Sequence, residues 1–188
     1  MKTRTAVIIF ILAFAVQTTV LRYIAFNHVA PNLLLCLVIV FSFLYDKPFG
    51  ILLGVIFGFF WDLSFGVYIG VSSIGLLIVA LTMILLRKPF NAESLLPAML
   101  GGLLGSVMYS VIYLGVYKLL GAPHSIYYLM KPQPYLIAYN LITVMLMQLV
   151  LRRSVIRKKK TEYYGSGYHM ISRFQAKGKK WLIETKGN

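Results

Sequence analysis

The stretch PFGILLGVIFGFFWDLSF, residues 48–65, decides how many apolar helices this chain can form. Its uncharged part ends at residue 61, and as a helix those residues rise roughly 21 Å against a hydrocarbon core of about 30 Å. Carried through Asp62 to Phe65, the helix gains its missing turn and places one carboxylate near a membrane boundary or inside the protein. Outward from this stretch, the charged side chains divide the rest of the chain, because a charge at the bilayer centre is costly and spans fall between charges. The other uncharged runs are 5–21, 23–45, 63–86, 94–117 and 132–151, of 17, 23, 24, 24 and 20 residues. Each meets or nearly meets the length of about 20 residues that a spanning helix needs.

The composition agrees with these runs. Apolar and aromatic residues make up 59% of the 188, charged residues only 13%, and the mean hydropathy is +0.78. Soluble domains carry about a quarter charged residues, so a soluble enzyme of this composition could not cover its core. Strands are set aside as well, since the runs exceed the 9–11 or so residues of a transmembrane strand and show no alternation. Helices remain as the way to satisfy backbone groups in lipid.

Charge also settles whether the stretch 48–65 counts. With six spans and the N-terminus inside, Lys2, Arg4, Lys47, Arg87, Lys88 and the eleven basic residues of the tail fall on the cytoplasmic side, and Arg22, Lys118 and Lys131 fall outside. Without the tail the balance is five to three, and omitting the third span would carry the eleven basic residues of the tail to the outside. The sequence therefore predicts an all-α integral membrane protein. Its six-span bundle occupies residues 1–151, with spans near 5–21, 29–45, 48–65, 68–86, 95–118 and 132–151, and a basic cytoplasmic tail occupies 152–188. The first span is read as uncleaved, because no small-x-small site follows it before Arg22. Leu35 before Cys36 likewise argues against a lipoprotein cysteine.

Within the spans, small residues recur. Gly50, Gly54 and Gly58 stand four apart on the third span, and Gly101 and Gly105 repeat the spacing on the fifth. In lipid such residues let helix backbones approach closely. Their use is either a tight interface with a partner's helix or internal packing, and internal packing is the commoner. Gln17, Asn32, Asn140 and Gln148 are the amides of the spans, and interhelical hydrogen bonds of about 0.6–2 kcal/mol each are their expected use.

Reactive groupings are missing. His28, His124 and His169 fall in loops or the tail with no His–Glu pair at ligand spacing, and a single cysteine allows neither a disulfide framework nor a cysteine metal cluster. No glycine-rich loop leads into Lys-Ser or Lys-Thr. Asp62 is the sole acidic residue between Lys47 and Glu93, so no carboxylate pair is available in the bundle. Three uses are open to it: a proton or cation site, a cap on the start of the fourth helix, or an anchor for a neighbouring chain. An enzyme and a cofactor are not expected. The tail begins with Arg152, Arg153, Arg157, Lys158, Lys159 and Lys160, a cluster attracted to anionic lipid at about 1 kcal/mol per basic residue. Nucleic acid is not expected as its partner, since the tail contains no recognisable binding module.

One order of residues is more specific than any single motif. Gln17 lies in the first run, Pro31-Asn32-Leu33-Leu34-Leu35 opens the second, and a glycine stripe ends in Gly58-Phe-Phe-Trp-Asp62. Gly66, Gly70 and Ser72-Ser73 then precede another apolar run. This order resembles the MreD family, rod shape-determining membrane proteins of bacteria, over residues 1–151. One departure is visible: the family commonly reads Pro-Asp-Leu where this chain has Asn32, which implies hydrogen bonding or capping there rather than a charge. The resemblance implies a multi-pass protein of the bacterial inner membrane, similar in fold to the substrate-binding components of energy-coupling-factor transporters. It implies a non-catalytic scaffold that binds MreC and, with MreB, RodA and a class B penicillin-binding protein, couples filaments to lateral peptidoglycan synthesis. The alternative is a small-molecule (vitamin) binding component of an uptake transporter. Against it, Ala6, Ala13 and Ala15 form no Ala-x-x-x-Ala docking motif.

Overall fold

Apolar runs this long must bury their backbone polar groups in helices, and helices are what the chain forms. The computed structural model describes residues 3–24, 29–44, 49–87, 95–121 and 130–151. In chain order the helices are α1 (Thr3–Thr18), α2 (Val20–Ile24), α3 (Leu33–Leu44), α4 (Phe49–Phe65), α5 (Val71–Arg87), α6 (Leu95–Leu119) and α7 (Gln133–Leu151). They belong to one compact unit, Met1–Arg152. The basic cluster from Arg152 to Lys160 and the three histidines lie outside the described residues.

Two helices, α6 and α7, are long and apolar enough to cross a membrane, and the other apolar helices are shorter. The uncharged runs overstate helix length for two local reasons. In the run 23–45, Pro31 and Asn32 postpone the helix to Leu33, because Asn32 caps it: its Oδ1 accepts the Leu35 amide at 3.1 Å. In the run 63–86, a turn at residues 66–70 intervenes, closed by Gly70 at φ +95°, and α5 starts at Val71. A smaller interruption separates α1 from α2. Thr18 and Thr19 both turn their hydroxyls onto the preceding turn, Thr19 Oγ1 donating to the Ala15 carbonyl at 2.6 Å.

α3 is the axis of the bundle. Leu34 through Leu44 are all buried, and α1, α4, α5 and α6 pack around it. A helix that is apolar all round is buried all round. The glycines set how closely its neighbours approach. A Cβ on Gly50 would stand 2.9 Å from Phe41 Cβ, one on Gly54 would overlap Val38 Cγ2, and one on Gly58 would stand 3.1 Å from the Ser73 Cα. On α6, Gly101 meets the Phe43 ring and Met83, and Gly105 meets Ile39 and Val79. Both glycine stripes are therefore filled by this chain's own side chains.

The bundle is apolar outside, and a few polar side chains are buried in its mostly apolar interior. Leu52, Ile56, Phe60 and Leu63 on α4 and Ile74, Ile78, Leu81 and Leu85 on α5 are exposed, whereas Gln17, Asp62, Ser72, Ser106, Asn140 and Gln148 are buried. In water this would leave a large uncovered apolar surface.

Candidate functional site: a buried polar seam

Most of the buried polar side chains gather toward one end of the bundle, where α1 and α4 finish and α3 and α5 begin, Ser42 and Gln148 lying apart from them. Helix starts carry unsatisfied amides, and here side chains from other helices accept from them. Gln17 Oε1, in the last turn of α1, accepts the Leu34 amide of α3 at 3.1 Å. Asn140 Oδ1 of α7 accepts the Asn32 amide at 2.8 Å. The Cys36 thiol of α3 leans on the Asn140 carbonyl at 3.6 Å.

Asp62 serves α5 in the same manner. It is 2% exposed, and its Oδ2 accepts the Ser72 amide at 2.8 Å and the Ser73 amide at 3.4 Å. A carboxylate on two amides at a helix N-terminus meets both hydrogen-bond donors and the positive end of the helix dipole. The turn between them is held by its glycines. The Gly66 amide donates to the Asp62 carbonyl at 2.8 Å, and a Cβ there would stand 2.7 Å from that oxygen. Gly70 O accepts the Ile74 amide at 3.0 Å. Ser73 Oγ closes the hairpin by donating to the Val55 carbonyl at 3.1 Å.

A tyrosine ladder on α6 completes the seam. Tyr109 is buried beside Ser72, Asp62 and Asn32. Tyr113 stacks on it and on Tyr117, and the Tyr113 hydroxyl donates to that of Tyr117 at 2.8 Å. Tyr68, from the 66–70 turn, meets Tyr117 edge-on and donates its hydroxyl to the Leu120 carbonyl at 3.0 Å. Nearer α7, Ser110 Oγ donates to Gln133 Oε1 at 2.7 Å. These links tie α1 to α3, α3 to α7, α4 to α5, and α6 to α7 and to the 66–70 turn.

The arrangement brings together Gln17, Asn32, Asp62, Gly66 and Gly70, with Pro31 half-buried just before the α3 cap. It leaves Gly50, Gly54, Gly101 and Gly105 deeper among apolar side chains. The tyrosines are absent from the sequence reading, although Tyr109, Tyr113 and Tyr117 recur every four residues, the signal of one helix face. Chemically the seam is a set of filled caps, so Asp62 is occupied by two amides. A separate groove of about 440 Å³ lies between α1, α3 and α7, lined by Ile9, Ala13, Leu33, Leu37, Met147 and Leu151 among others, all apolar.

Asn140 offers a direct test of the seam. Asn140→Leu keeps the volume and removes the acceptor of the buried Asn32 amide, and an orphaned amide costs about 1–3 kcal/mol. Unfolding of the purified protein in mixed micelles is expected to move by that amount. An unchanged midpoint would show that the Asn32 contact contributes nothing.

No curated protein and no solved structure matches the chain. A family model does, described as rod shape-determining protein MreD, over residues 2–155. That is a family of membrane-associated, shape-determining structural proteins rather than a family of enzymes. Since the match covers the whole helical unit and all of the polar seam, the chain belongs to the MreD family.

Proposed function

We propose that the chain is a six-span protein of the bacterial inner membrane with both termini cytoplasmic, and that it acts as a non-catalytic scaffold of the elongation machinery. It binds MreC and so helps link MreB filaments, RodA and a class B penicillin-binding protein to lateral wall synthesis. Six spans are formed by α1 with α2, then α3, α4, α5, α6 and α7. In plan this is similar to the substrate-binding component of an energy-coupling-factor transporter. The basic tail, with Arg152, Arg153, Arg157, Lys158, Lys159 and Lys160, lies on anionic lipid at the cytoplasmic surface.

The observation that carries this reading is the pairing of the family match with a helical bundle whose outer surface is apolar. Exposed aliphatic faces suit lipid and partner helices, and the buried polar atoms are used to tie helix ends together rather than arranged around a reacting centre. Gln17, Asn32, Asp62 and the glycines then serve the shape of the scaffold. Partner contact falls to the exposed surface.

Affinity-tagged protein, extracted in mild detergent from cells of its own species, is expected to bring down MreC, and depletion of the protein is expected to round the cells. Recovery of the folded bundle without MreC, together with a bound vitamin, would replace the scaffold by the uptake component.

A further inference from the structure

The α4–α5 hairpin has its length set at both ends. At one end the sequence supplies Lys47 before α4 and Arg87-Lys88 at the close of α5. There the Arg87 guanidinium donates to the Ser42 carbonyl, at the last turns of α3, at 3.4 Å. At the other end lies the 66–70 turn, where irregular backbone begins after Phe65 and ends at Gly70. Between these ends α4 and α5 have 17 residues each, a rise of about 25 Å.

A hydrocarbon core is about 30 Å thick, so the hairpin falls short by about 5 Å, and any tilt increases the shortfall. The turn cannot make up the difference by sitting in hydrocarbon, because lipid-exposed irregular backbone is not tolerated there. Trp61, in the last turns of α4 with Phe65 at 4.8 Å, belongs to the residue type that marks the membrane–water boundary. Beyond it the turn carries no charge, and it exposes Val67 and Ile69 at 72% and 65%. The neighbouring α6, with 25 residues, is under no such limit.

We propose that the α4–α5 face thins the bilayer beside it and selects lipids with short acyl chains, on the leaflet where the 66–70 turn emerges. The bound partner is the lipid surface itself. Val67 and Ile69 rest in the boundary of the thinned leaflet, and the exposed row from Leu52 to Leu63 on α4 covers about 17 Å of the hydrocarbon it meets. This rests on the membrane-spanning reading above, and the test separates the two.

The full-length Trp181→Phe protein, in which Trp61 is the sole tryptophan, is reconstituted in dimyristoleoyl, dioleoyl or dierucoyl phosphatidylcholine mixed with brominated dioleoyl lipid. Quenching of Trp61 then gives the relative association of each chain length with this face. Several-fold stronger association of the dimyristoleoyl than of the dierucoyl lipid is expected. In a Cys36→Ser background, Val67→Cys is expected to react with an impermeant maleimide in all three bilayers, whereas Ile78→Cys, midway along α5, is not. A preference for dioleoyl or longer chains overturns the proposal, as does a Val67→Cys that reacts only in the thinnest bilayer. A reactive Ile78→Cys, or protein that does not float with the vesicles, overturns the membrane-spanning reading instead.

Discussion

Gly54→Leu is expected to eliminate folded protein from detergent extracts, while Gly115→Leu is expected to be recovered at the level of the parent. Position 54 faces α3, and a first carbon placed there already overlaps Val38 Cγ2, a side chain held in the fully buried helix of the bundle. Overpacking a core by a few methylenes costs about 1–3 kcal/mol. Here a whole leucine must enter a contact that has no room for a methyl, so the loss exceeds that range. Position 115 has nothing within 4 Å of its would-be Cβ, so a leucine there starts into open space. Size-exclusion profiles of the two variants decide the matter. If Gly54→Leu elutes as a monodisperse, folded species, the close approach of α4 to α3 is not what holds the bundle. A simple loss of MreC binding by Gly54→Leu is therefore no evidence of a partner face, because position 54 is inside the protein.

Asp62 separates charge from hydrogen bonding. Asp62→Ala leaves the Ser72 and Ser73 amides without their acceptor at the start of α5, and an expected loss of about 2–4 kcal/mol follows from two orphaned donors. Asp62→Asn retains a carbonyl oxygen at the same place and loses the dipole term, about 1 kcal/mol or less. Unfolding in mixed micelles gives the stabilities, and complementation of a deletion strain gives the function. A stable Asp62→Asn that fails to restore rod shape would mean that the carboxylate has a task beyond holding α5. Equal stability of Asp62→Ala and the parent would remove the cap from the account.

Much of the fold is legible where charge is the only information required. Arg87 ends α5 and Lys118 falls in the last turn of α6, so charge alone locates those two helix ends. What charge does not report is where a helix starts within an uncharged run. That depended on Asn32 and Gly70, whose effects are local to the backbone and silent in hydropathy. Asp62 stands out in the sequence as a lone carboxylate, but its partner is ten residues away across a turn, and three uses were open until Ser72 was placed. The tyrosine ladder shows the opposite case. Its four-residue period was available throughout, and it escaped notice because aromatic residues on an apolar helix look like any other packing.

The bond between the Asn32 amide and Asn140 spans 108 positions of chain. During synthesis the first helices leave the ribosome long before that acceptor exists. Until the last helix is made, the Asn32 amide lacks this acceptor, although the Leu34 and Leu35 amides already have Gln17 and Asn32. A chain cut short before residue 140 would lack that acceptor, so one hydrogen bond makes the start of the axis helix depend on the completion of the last one.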